Sequence, residues 1–308
     1  MSKGVVLSVM ASVLFAALYY LSTLLVPLSG TEIFGWRVIL TLPCLMLFIS
    51  LTGGWSAVAE LTRRVRAAPW LVPGMVLCAF LFGVQLWLFL WAPLQGRGLN
   101  VSLGYFLLPL SMILVGRLLF NERLSRLQQL ATLLAVCGVA NQILVVGGLA
   151  WETWLVALGY PGYFALRRKM GTDGLGGMWF EMILMVPVAL WFAWAGGEMV
   201  VHFSEQPRLF GLVPLMGMIS AWALISYLMA SRLLPLGLFG LLGYVEPVLL
   251  VLVSLLIGER IQSNEWLTYI PIWAAVLVLV LEGARHVWRR HGAAPSTQAQ
   301  REPRPTRH

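Results

Sequence analysis

Residues 239–267, FGLLGYVEPVLLVLVSLLIGERIQSNEWL, repeat the plan of residues 102–130, SLGYFLLPLSMILVGRLLFNERLSRLQQL. Each copy has Gly-Tyr, a proline about a turn later, a long apolar run, and then Asn-Glu-Arg or Gly-Glu-Arg. Tyr105 aligns with Tyr244 and Pro109 with Pro247, with one residue of slippage before Glu122-Arg123 and Glu259-Arg260. Crossing a bilayer as a helix takes about 20 apolar residues. Outward from these two copies, ten such runs can be marked: 4–27, 31–52, 71–93, 99–120, 126–146, 150–167, 175–196, 209–231, 235–257 and 265–284. The copies lie five spans apart and so cross in opposite directions. That is an inverted-topology repeat, an architecture of secondary transporters whose site lies near the midplane between the halves. The expected fold is therefore an all-α polytopic membrane protein of ten transmembrane helices in two inverted five-helix repeats, residues 1–147 and 148–284.

Composition supports the membrane reading. Only 11% of residues are charged and 59% are hydrophobic, whereas a soluble domain carries about 25% charged residues. Mean hydropathy is +0.83. The net charge of +8 comes from Lys and Arg scattered between apolar runs or gathered in the tail. No helix-turn-helix or RNA-binding pattern accompanies them, so nucleic acid is not an expected partner. Their distribution reads as topology, because positive loops stay cytoplasmic. With Lys3 inside, the inner connections hold Arg63, Arg64, Arg66, Arg123, Arg126, Arg167, Arg168, Lys169 and Arg232, and the outer ones only Arg97, Arg208 and Arg260. Both termini are then cytoplasmic, in the inner membrane. The tail, 285–308, is rich in Arg, Pro, Gln and Ala and is expected to be disordered, in reach of anionic headgroups. Cys44, Cys78 and Cys137 sit in apolar runs without paired spacing or His partners, which implies packing rather than a disulfide or zinc site. No metal or cofactor is expected. GTDGLGGM at 171–178 lacks the Gly-Lys-Ser/Thr ending of a phosphate loop, and no hydrolase or zinc-protease constellation occurs, so the chain does not read as an enzyme.

Ionisable residues at hydrocarbon depth are the candidate site, because a membrane-buried charge is costly unless used. Glu246 lies halfway along the ninth run. Pro247 removes a backbone N–H there and Gly243 loosens the preceding turn, exposing polar backbone beside the carboxyl. Proton exchange, binding of a substrate amine, and a structural pairing are the readings open to it. Arg37 carries a fork suited to a substrate carboxylate; alternatively it snorkels outward or pairs with Glu32. Glu181 is either a second proton site or the partner of Arg167. Gln85, Asn141, Gln142 and tyrosines 19, 20, 105, 160, 163, 227 and 244 either line a cavity or bond across helices. Trp87, Trp91, Trp179 and Trp222 either box a substrate group or sit in the interface belt. Gly237, Gly240 and Gly243 keep one helix face small for close packing.

The chain resembles the drug/metabolite transporter superfamily, and within it the EamA family near the RarD proteins. The resemblance rests on TEIFGWRVI with Glu32 and Arg37, LWLFLWA with Trp91, SLGYFLLPL with Tyr105 and Pro109, the Asn-Glu-Arg at 121–123, YFALRRK with Tyr163 and Arg167, GMWFEMILMVPVA with Glu181 and Pro187, and LLGYVEP with Tyr244 and Pro247. It covers residues 4–284 and departs from the usual RarD pattern at Leu108, Gly243 and Glu246, so the central site is rebuilt. It implies ten helices, two repeats and export or exchange of small metabolites, amino-acid-derived metal chelators among them.

Together these readings give a secondary transporter that exports a small amino-acid-like metabolite, such as an opine-type metallophore, with proton coupling. Glu246, Arg37, Glu181, Tyr105, Tyr244, Tyr163, Gln85 and Trp91 are its expected site. A multidrug exporter of lipophilic cations is the alternative; a membrane sensor or enzyme would need a soluble domain or catalytic cluster. The bilayer and a small-molecule substrate are the partners, and the chain acts as a monomer or homodimer.

Overall fold

A computed structural model describes residues 2–120, 125–146, 148–194, 197, 199–234 and 242–292. The described residues form helices and no strands. In chain order the helices are α1 (Ser2–Leu24), α2 (Gly30–Leu51), α3 (Trp55–Ala67), α4 (Leu71–Leu94), α5 (Gly98–Phe120), α6 (Arg126–Asn141), α7 (Trp151–Met170), α8 (Leu175–Trp194), α9 (Met199–Glu205), α10 (Leu209–Leu233), α11 (Val245–Leu256) and α12 (Trp266–Gly292). Five of them are long and apolar enough to cross a membrane: α1, α2, α4, α8 and α10.

Local chemistry sets the ends of these helices. Ser29 Oγ accepts from the Glu32 amide at 3.3 Å and Glu32 Oε2 accepts from the Ser29 amide at 2.7 Å, a reciprocal cap that starts α2. α7 stops at Gly171, whose φ of 62° is the left-handed cap glycine tolerates. α5 is started from a distance. Glu259, just after α11, accepts from the Gly98 and Leu99 amides at 2.6 and 2.7 Å. Tyr19 OH and Ser254 Oγ converge on the same spot, leaving no room for a side chain at residue 98.

The most extensive packing joins early helices to late ones: α1 with α10, α2 with α8, α5 with α7 and α6 with α12. Smaller contacts join α2 to α10, α4 to α7 and α8, and α11 to α1 and α5. Gly35 permits the α2–α8 approach, since a Cβ there would meet the Ala189 carbonyl at 2.5 Å.

The helices differ from expectation in four places, the first being the short α9 between the expected runs 175–196 and 209–231. Residues 55–67, read as a bare connection, form α3, a polar helix seated on α8 by Val58 and Leu61. The fifth apolar run stays α-helical only to Asn141 and then widens into a π turn at 142–146, where the Gln142 carbonyl takes the Gly148 amide. α12 continues to Gly292, past the expected end at 284, because no helix breaker intervenes. The Asn121-Glu122-Arg123 end of the first copy, Gly237, Gly240 and the tail beyond 292 lie outside the described residues.

Candidate functional site

Around Glu246 the ninth run is broken. The chain turns at Gly243 and Tyr244 and the helix restarts at Val245. Glu246 therefore occupies the first turn of α11, where unpaired amides and the helix dipole favour negative charge. Pro247 is tolerated there because its missing N–H has no partner to lose. Glu246 is half-buried, and Arg37, Tyr105, Tyr160 and Tyr227 all lie within its electrostatic reach. No ion pair or hydrogen bond to Glu246 occurs among the described residues.

Arg37 is buried on α2. Its Nε donates to Ser220 Oγ on α10 at 3.0 Å and its Nη1 to the Leu86 carbonyl on α4 at 3.5 Å. The guanidinium stands 5.5 Å from the Phe89 ring centroid, close enough for a cation–π contact. Pairing with Glu32 is ruled out, since that carboxylate caps α2 and faces His202 at 3.8 Å. Snorkelling is ruled out by burial. Tyr105 and Tyr160 bring their hydroxyls to 3.1 Å, joining α5 to α7. Phe89 stands edge-on to Tyr105 and to Phe15, and Phe15 edge-on to Tyr227. The result is a carboxyl and a guanidinium among tyrosine hydroxyls and phenyl faces, drawn from seven helices.

The other expected residues lie elsewhere. Tyr163 and Glu181 are together but belong to a second network. The Tyr163 hydroxyl donates to Glu181 Oε2 at 2.8 Å and accepts from Arg167 Nη1 at 2.7 Å. Arg167 Nε lies 3.3 Å from Glu181 Oε1, and Arg167 also donates to the Thr172 and Gly174 carbonyls. Glu181 thus has Arg167 and Tyr163 as partners, and the network ties α7 to α8. Gln85 donates to the Leu155 carbonyl at 2.7 Å and keeps its buried Oε1 unpartnered. Trp91 stacks on Trp87 at 5.2 Å and meets Trp151 at 5.6 Å with the rings tilted by 49°, over Gly30. Tyr244 does not mirror Tyr105: it is buried among Leu103, Phe106, Tyr269 and Ile272. Asn141 and Gln142 bond to Thr268 across α6 and α12.

Ser220, Phe15 and Phe89 were not singled out from sequence. Ser220 and Tyr227 are seven residues apart on α10, two turns along one face, and that spacing was the available signal.

No family model matches the chain. An uncharacterized transporter of Pasteurella multocida is 44% identical over 94% of this chain and 100% of its own length. The chloramphenicol-sensitive protein RarD of Pseudomonas aeruginosa is 44% identical over 92% of this chain and 95% of its own. Protein RarD of Escherichia coli K12 is 27% identical over 91% of this chain and 94% of its own.

Proposed function

Because the chain belongs to the RarD-like transporters, we propose that it is an inner-membrane secondary transporter exporting a small amino-acid-like metabolite in exchange for protons. An opine-type metallophore is one concrete substrate. In this reading ten helices cross the membrane, both termini are cytoplasmic, and the path runs between two inverted repeats, 1–147 and 148–284. The larger span-to-span contacts between the halves support the repeats, because they map onto one another when the halves are exchanged. α1–α10 corresponds to α4–α7, α1–α11 to α5–α7, and α2–α10 to α4–α8, while α2–α8, α5–α11 and α6–α12 correspond to themselves.

The observation that carries the reading is that Arg37 and Glu246 reach one tyrosine cluster from α2 and α11 without pairing with each other. A zwitterion satisfies both charges: Arg37 takes its carboxylate, and Glu246 exchanges a proton for its amine. The Tyr105 and Tyr160 hydroxyls hydrogen-bond the polar groups between.

Metabolite profiling of cells and medium tests this, comparing wild type, a deletion and Glu246→Gln at equal protein level. One compound should accumulate inside both mutant strains and vanish from the medium. Normal export by Glu246→Gln would make Glu246 structural and end the coupling mechanism. The phenyl and tyrosine faces around a single carboxyl also suit a lipophilic cation, so multidrug export is the second reading. It predicts lowered resistance to such cations in the deletion strain; the name of the Pseudomonas relative makes chloramphenicol a further compound to assay.

A further inference from the structure

α3 joins the C-terminal end of α2 to the N-terminal end of α4, both membrane-long helices, so it lies at one membrane face. Its inner face is set by Val58 and Leu61, buried on α8, where Gly176 lets the Ala57 carbonyl approach. Its outer face is polar. Arg64 donates to the Met170 and Gly171 carbonyls at 2.9 and 2.7 Å, which fastens the basic last turn of α7 beside α3. Arg63 and Arg66 of α3 and Arg168 and Lys169 of α7 are thereby gathered, all exposed, with Glu60 and Asp173 as nearby acidic residues among the described ones. Glu60 pairs with Arg63. Trp55 and Trp70 flank α3 and are 37% and 72% exposed, and tryptophan is a side chain that anchors in headgroups.

We propose that α3 and the last turn of α7 form a platform that binds anionic phospholipid headgroups. The basic residues supply the charge that attracts anionic headgroups and the tryptophan at each end supplies an interfacial anchor, while the apolar face is held by protein. The positive excess selects anionic over zwitterionic headgroups, and the fixed Arg64 contacts hold the cations in register before lipid arrives. This site is independent of the substrate reading and survives its failure.

The test uses the full chain in nanodiscs of mixed phosphatidylcholine and phosphatidylglycerol, with retained lipid counted by native mass spectrometry. Wild type should retain phosphatidylglycerol preferentially, and Arg63→Gln/Arg66→Gln/Lys169→Gln should lower that affinity roughly a hundredfold, about fivefold per cation. Arg66→Gln alone, about fivefold, serves if the triple variant misfolds. Arg260→Gln, an exposed cation on the loop after α11, should change nothing. Equal retention of both lipids by wild type, unchanged retention by the platform variants, or an equal loss in Arg260→Gln would each overturn the proposal. A platform built for a protein partner would show the second of these results.

Discussion

Replacing Glu259 should loosen the start of α5, although the residue lies some 160 positions away in sequence. Its two oxygens accept from the Gly98 and Leu99 amides at 2.6 and 2.7 Å, and α5 has no acidic residue of its own in its first turn. A charge-assisted bond of this kind contributes about 1.5–3 kcal/mol, and the helix dipole adds about 0.5 kcal/mol. Glu259→Gln keeps one acceptor and turns an NH2 toward the other amide. Burial pushes the Glu259 carboxyl above its usual range against the pull of those amides, so neutralisation also relieves a desolvation cost. The net loss should be about 2 kcal/mol, rising to about 4 kcal/mol for Glu259→Ala, which orphans both amides. Gly98→Ala tests the same joint from its other side, since the new Cβ would stand 2.6 Å from Glu259 Oε1 and 2.8 Å from Tyr19 OH. It should cost about 1–3 kcal/mol, and less in the Glu259→Ala background, where its neighbour has gone. Thermal and SDS-titrated unfolding in a neutral detergent reads all four variants against wild type. An Ala variant within about 0.5 kcal/mol of wild type would refute the capping role, because no reasonable compensation leaves two amides unpaired at so little cost.

Other substitutions follow from the same geometry. Ser220→Ala removes the Arg37 Nε acceptor; transport assays should show about a tenfold rise in KM with little change in maximal rate, the signature of a displaced binding group. Tyr163→Phe deletes one bond to Glu181 and one from Arg167 and should lower unfolding stability by about 2 kcal/mol while the substrate KM stays at its wild-type value. Gly35→Ala forces a Cβ against the Ala189 carbonyl and should cost about 1–3 kcal/mol in the same unfolding assay.

Much of this was legible in the apolar periodicity, and the misses have physical causes. A search for apolar runs of bilayer length cannot see α3, whose sequence WSAVAELTRRVRA hides only Val58 and Leu61. Equivalence in sequence also does not fix a facing direction. Tyr105 lies inside continuous α5 and meets Tyr160, whereas Tyr244 precedes the start of α11 and turns into the α5–α12 core. The broken run at Glu246 was readable because glycine and proline act locally. The Glu259 cap was not, since its partners are brought near only by the fold. Likewise, Arg37 could be marked as a costly charge, but Ser220 and Phe89 become its neighbours only when α10 and α4 pack on α2.

The pairing of α1 with α10 and α2 with α8 bears on how the chain is made. As synthesis proceeds from the N-terminus, the first two helices leave the ribosome long before their main partners exist. Gly35 and other close-packing surfaces on them then stay uncovered by their main partners until the second half arrives. Two separately expressed halves, cut between Val146 and Trp151, should therefore accumulate only when produced in the same cell.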